Sequence, residues 1–133
     1  MMLRNRFARS LPMSNPQQRR DVLHARYAQS FASKHAMLAQ AWRAFTDAAD
    51  EANIDELHQR AHRLAGSAPT YGYELLGRLA HAVDSQLAEW KRLPAATRDG
   101  STALAQRLAS PMQALLDCLA RHAANPSPQC AGR

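Results

Sequence analysis

The sequence predicts an all-α protein: an antiparallel up-and-down four-helix bundle with an additional N-terminal helical segment. Three observations carry that expectation. The chain holds 27 Ala against two Val, one Ile and four Thr, and Ala loses no side-chain entropy in a helix whereas β-branched residues do. Apolar residues recur near every 3.6 positions in four or five successive stretches. The connections between those stretches are short, which favours antiparallel neighbours. At 133 residues, 46% of them hydrophobic, the chain suits one domain, and a two-domain enzyme is excluded.

The first helical stretch is expected over residues 17–33, with Leu23, Tyr27 and Phe31 spaced i, i+4, i+8. A second, over 34–50, presents Leu38, Ala41, Trp42, Phe45 and Ala48 or Ala49. The third begins after Asn53, read as its N-cap, with Asp55 and Glu56 placed in the first turn against the helix dipole. Its seam is Ile54, Leu57, Ala61, Leu64 and Ala68. The fourth, over 72–92, carries Leu76, Leu79, Val83, Leu87 and Trp90, and Pro94 closes it. The fifth, over 101–124, carries Leu104, Leu108, Met112, Leu115 and Leu119. Pro111 interrupts it, and either a kink or a short first piece ending near Ala109 would follow. Because the apolar stripe resumes in phase, the kink is the expectation. Trp42, Phe45, Leu79, Val83 and Trp90 all fall on apolar seams and read as core.

Residues 1–16 read as a basic, disordered tail, 17–124 as the bundle and 125–133, with two prolines and a glycine, as a second disordered tail. The formal charge of +6 follows this division: Arg4, Arg6, Arg9, Arg19 and Arg20 lie in the first 20 residues without an acid, leaving +1 for the rest. Cations scattered among acids do not build the folded basic face that specific nucleic-acid binding needs. A nonspecific nucleic-acid association would rest on that N-terminal stretch and the sequence pI of 10.1 alone. No apolar window approaches the ~20 residues of a membrane span. Cys118 and Cys130 are too few for a disulfide framework, and the first 13 residues lack a signal-peptide pattern, so a cytoplasmic location is expected. Cys118 reads as half-buried and inert, and Cys130 as a free thiol on the C-terminal tail.

The informative segment runs from Ala61 to Gly72, AHRLAGSAPTYG. With Ala61, Leu64 and Ala68 turned inward, His62 lies beside the seam, on a stripe with His58, Ala65 or Gly66, and Pro69. Gly66 in a helix interior costs roughly 1 kcal/mol relative to Ala. Its presence means either an open space one turn beyond His62 or a close helix–helix approach.

The segment Ala61-His62-Arg63-Leu64-Ala65-Gly66-Ser67-Ala68, followed by Gly72, Leu76, Leu79-Ala80 and Val83-Asp84, resembles the histidine-containing phosphotransfer (HPt) domains of two-component phosphorelays. The resemblance spans about 53–87, and the upstream Phe31, Leu38, Trp42 and Phe45 look like the family's first bundle helices. It implies a four-helix bundle in which His62 is the phosphoryl acceptor, taking the group from a receiver-domain aspartate and passing it to another. It further implies that His58, Ala65, Gly66, Ser67 and Pro69 line the site or dock the partner. Response-regulator receiver domains or a hybrid sensor kinase would be the partners, with Mg²⁺ on the receiver and no cofactor or metal held by this chain. Where the family usually has Lys, this chain has Ala65. His58, Arg63 and Arg78 are the candidate replacement cations, although Arg63 points about 100° away around the helix. A module that docks a receiver or kinase through the same face without carrying phosphate is the alternative.

An exposed neutral imidazole, with its unperturbed pKa near ~6.5, is a nucleophile at physiological pH. No G-x-x-x-x-G-K-[ST] motif or Gly-rich loop is present, so the chain has no kinase ATP site of its own. His58 and His62, with Asp55, have zinc-ligand spacing, but the second set of ligands that a bundle di-metal site requires is missing. His24, His35, His81 and His122 read as surface residues.

Overall fold

A computed structural model describes residues 15–98 and 100–125. Five α-helices follow one another: α1 (Pro16–Gln29), α2 (Phe31–Asp47), α3 (Glu51–Thr70), α4 (Glu74–Arg92) and α5 (Ser101–Ala124), with a 3₁₀ turn at Ala95–Thr97. No strand occurs among the described residues. The expected all-α bundle is the fold. The two chain ends read as tails lie almost wholly outside the described residues, Cys130 among them.

Helices α2 to α5 form the four-helix ring: α2 neighbours α3 and α5, and α4 packs between α3 and α5. Each turns one apolar stripe inward, α3 through Ile54, Leu57, Ala61, Leu64 and Ala68, all buried. Leu104, Leu108, Met112, Leu115 and Leu119 do the same from α5. That helix runs unbroken from Ser101 to Ala124 through Pro111, with Leu108 and Met112 buried on either side of it, so no separate first piece exists.

Helix α1 is the additional segment. Only Tyr27 of its residues is buried, and Leu23, expected on its seam, is 46% exposed. Tyr27 stacks on Tyr71 at 4.3 Å and meets Phe31 edge-on, while Phe31 packs against Tyr73 and His122. This aromatic cluster closes one end of the bundle, and it corrects the placement of His122 at the surface: the residue is 2% exposed. Trp42, Leu79 and Trp90 are half-buried against the core rather than within it, whereas Phe45 and Val83 are fully buried. Cys118 is fully rather than half-buried, and burial pushes its thiol pKa up, which keeps it unreactive.

At two helix boundaries a side chain takes a partner other than the one the pattern suggests. The α1–α2 break falls at Ser30, not at residues 33–34, because the Ser30 hydroxyl and N–H both donate to the Tyr27 carbonyl. Asp50, not Asn53, caps α3 by accepting from the Asn53 N–H at 2.9 Å. The Asn53 amide instead donates to the carbonyls of Ala44 and Ala48, satisfying the C-terminus of α2.

Helix α3 ends in a turn that aims α4 back along it. The N–H of Tyr73 bonds the carbonyl of Ala68, and that of Gly72 bonds the carbonyl of Pro69, the Schellman pattern. Gly72 adopts φ 92°, a conformation that glycine alone adopts without strain, and so lies in the turn rather than at the start of α4.

Candidate functional site

Because α3 and α4 run antiparallel from this tight turn, residues late in α3 face residues early in α4. Nearest the turn, Pro69 stands against Gly77 so closely that a Cβ on Gly77 would sit 2.5 Å from Pro69 Cγ. Further along, the stripe Asp55, His58, His62 of α3 faces the stripe Asp84, Ala88, Lys91 of α4. Both stripes keep the i, i+3 or i+4, i+7 spacing of one helix face. Small side chains at Ala52 and Ala88 leave a groove of about 590 Å³ between them, and His58, His62, Asp84 and Lys91 all line it.

A chain of hydrogen bonds crosses this groove. Lys91 Nζ contacts Asp55 Oδ1 at 2.6 Å and His58 Nδ1 at 3.1 Å. His58 Nε2 lies 2.8 Å from Asp84 Oδ1, and His62 Nδ1 lies 3.1 Å from Asp84 Oδ2. The Asp84 side chain is only 16% exposed, while that of His62 is 73% exposed. One carboxylate thus bridges two imidazoles, one recessed and the other open to solvent.

Of the residues expected to line the site, His58 and His62 are brought together here. Gly66, one turn beyond His62, is exposed, and a Cβ added there meets nothing within 4 Å. Close helix packing, the alternative reason for this glycine, is therefore excluded. Ala65 is half-buried against the core and does not line the groove. Ser67 turns the other way, its hydroxyl 2.7 Å from the Tyr27 hydroxyl. Pro69 is exposed and abuts Gly77.

The candidate replacement cations separate as well. Arg63 lines a second groove with Lys34, Met37 and Arg60, between α2 and α3. Lys34 sits 4.5 Å over the Tyr27 ring, and burial lowers its pKa. Arg78 is exposed on α4 and lines neither groove. The ammonium that reaches the His62 groove belongs to Lys91, which the sequence reading passed over. In the sequence, Asp84 stands only as the last position of the motif match. The signal that would have found both is the 84, 88, 91 spacing, one α4 face that mirrors 55, 58, 62 in antiparallel register.

With Asp55 engaged by Lys91, the zinc-spaced trio is not assembled. No group of three His, Cys, Asp or Glu side chains among the described residues is arranged to hold a metal ion. No helix among them is long and apolar enough to cross a membrane.

Comparison with known proteins agrees with the fold and the motif. No curated protein and no solved structure matches the chain. The family described as Hpt domain matches residues 22–125, from the second turn of α1 to the end of α5. A match over most of the chain places it: the protein belongs to the Hpt domain family, whose members carry out histidine phosphotransfer in two-component signalling with receiver domains and kinases.

Proposed function

We propose that the protein is a phosphorelay intermediate that accepts a phosphoryl group on His62 from a receiver-domain aspartate and passes it to a second receiver aspartate. One observation carries this reading. The exposed His62 ring has Nδ1 on the Asp84 carboxylate, and a carboxylate only accepts, so the ring proton resides on Nδ1. That leaves the Nε2 lone pair as the nucleophile, with open space over Gly66 for the partner.

The step balances without a further reagent. The His62 Nε2 lone pair forms the N–P bond as the acyl O–P bond of the phosphoaspartate breaks and its electron pair returns to the carboxylate. Nδ1 keeps its proton, so the ring becomes a phosphorylated imidazolium. The adjacent Asp84 charge offsets it, as a buried carboxylate supports the imidazolium of a hydrolase triad. Transfer to the second receiver reverses the sequence. Little covalent work falls to this chain, because phosphoryl transfer depends chiefly on positioning and charge neutralisation. The Mg²⁺ and the acceptor aspartate belong to the receiver. His58 and Gly66 belong to the docking face, whereas Ser67 and Pro69 support it from the packing contacts described above.

The test mixes the purified chain with a phosphorylated receiver and Mg²⁺ and scores acid-labile, alkali-stable phosphate. Label on the wild type and none on His62→Gln is the expected result. Absence of label across several receivers that still bind would overturn it and favour the phosphate-free docking module, in keeping with Ala65 at the usual Lys position.

A further inference from the structure

We infer that Lys91 and His58 are positioning residues for His62: Lys91 sets the tautomer of His58, His58 sets the orientation of Asp84, and Asp84 sets the tautomer of His62. The inference deepens the carrier reading and rests on it for its consequence, though its geometry stands alone.

The logic follows from which atoms can donate. A Lys ammonium has three donors and no acceptor, so its 3.1 Å contact makes His58 Nδ1 an acceptor. In a neutral imidazole the other nitrogen then carries the proton, and His58 Nε2 donates across 2.8 Å to Asp84 Oδ1. With Oδ1 occupied, the carboxylate is pinned and Oδ2 is presented to His62 Nδ1 at 3.1 Å. Were the His58 proton on Nδ1 instead, a lone pair on Nε2 would face the carboxylate and turn it away. Asp55, 2.6 Å from Lys91, holds the ammonium at the head of the chain. Every link is directional, and its polarity is fixed at one end by a group that can only donate.

The last link matters because a free neutral histidine prefers its proton on Nε2. That tautomer would place hydrogen on the nitrogen that must attack phosphorus. The relay reverses the preference at His62, and it survives transfer, since the phosphorylated ring still donates Nδ1–H to Asp84. Lys91 therefore reaches the reacting ring from the far end of the groove through two side chains, although the family position at residue 65 is an alanine.

The experiment uses the full chain labelled with ¹⁵N at histidine and long-range ¹H–¹⁵N spectra, at a pH where both imidazoles are neutral. In the wild type, His58 is expected as the Nε2–H form and His62 as the Nδ1–H form. Lys91→Met should mix the His58 tautomers, and His58→Leu should move His62 towards Nε2–H. His58→Gln, whose amide can still donate to Asp84, should restore it. Phosphoryl transfer from a receiver should fall roughly tenfold in His58→Leu, the low end of the scale known for outer partners of metal-bound histidines, and recover in His58→Gln. A wild-type His58 protonated on Nδ1, or a His62 tautomer unmoved by His58→Leu, would overturn the relay. The spectra need no phosphate, so a chain that never takes label still tests the relay, and a labelled chain with an unmoved tautomer removes the relay alone.

Discussion

His62 and His122 sit on helices of one bundle in opposite surroundings. The His62 ring is 73% exposed and leans on a carboxylate, whereas His122 is 2% exposed, stacked on Phe31 at 5.2 Å with Tyr73 edge-on at 4.9 Å. His122 Nδ1 has no hydrogen-bond partner among the described residues. Burial lowers its pKa, and the neighbouring Arg121 charge acts in the same direction. One histidine is open to solvent and paired with a carboxylate, and the other is kept neutral as an aromatic filler. Residue type and helical spacing do not separate the two cases. The facing element does, since α4 brings Asp84 to His62 whereas α2 brings an aromatic ring to His122.

The contrast can be broken most severely from the His122 side. Phe31→Ala removes the fully buried ring around which Tyr27, Tyr73 and His122 gather. A loss of about 3 to 5 kcal/mol is expected in chemical denaturation, with the His62–Asp84 pair intact in whatever fraction stays folded. A midpoint close to wild type would show that the cluster is not the structural end of the bundle.

The two glycines beside the site sharpen the same comparison. Gly77→Ala drives a methyl into Pro69 and should destabilise by about 1 to 3 kcal/mol, the usual cost of overpacking. Gly66→Ala meets open space and should stabilise α3 by up to about 1 kcal/mol through helix propensity, while slowing transfer from a receiver. If Gly66→Ala destabilised the fold, the space over His62 would be a packing feature and not a docking one.

The smaller effects concern protons and one hydroxyl. The folded-state pKa of His122 lies below its ordinary value near 6.5, so the unfolded chain takes up the proton first as pH falls. Stability contributed by keeping His122 neutral is therefore whole above about pH 6.5 and declines from there down to the folded-state pKa. His122→Phe should flatten that part of the stability–pH curve. Tyr27→Phe removes the 2.7 Å bond to Ser67 and should cost about 1 kcal/mol, loosening α1 while leaving the His62–Asp84 contact in place.

Much of this molecule was legible from residue order. Ile54, Leu57, Ala61, Leu64 and Ala68 form the α3 seam as their 3.6 period required, and His62 falls beside it as geometry demands. The misplacements share one cause. Asn53 looked like a cap because capping residues are recognised locally, yet Asp50 took that role and Asn53 reached back to close α2. Leu23 had the right period on a helix whose remaining residues were too polar to be drawn into the core.

Composition and period by themselves determined the helical class and the face of α3 on which the phosphotransfer motif lies, because backbone propensity and amphipathic spacing are local. Tertiary structure decided which polar groups meet across α3 and α4. The Schellman turn at Gly72 sets the antiparallel register, and that register places Asp84 and Lys91 opposite His62 and His58. A hydrogen bond needs its partners within about 3 Å, and only packing brings residues 22 and 33 positions apart to that distance.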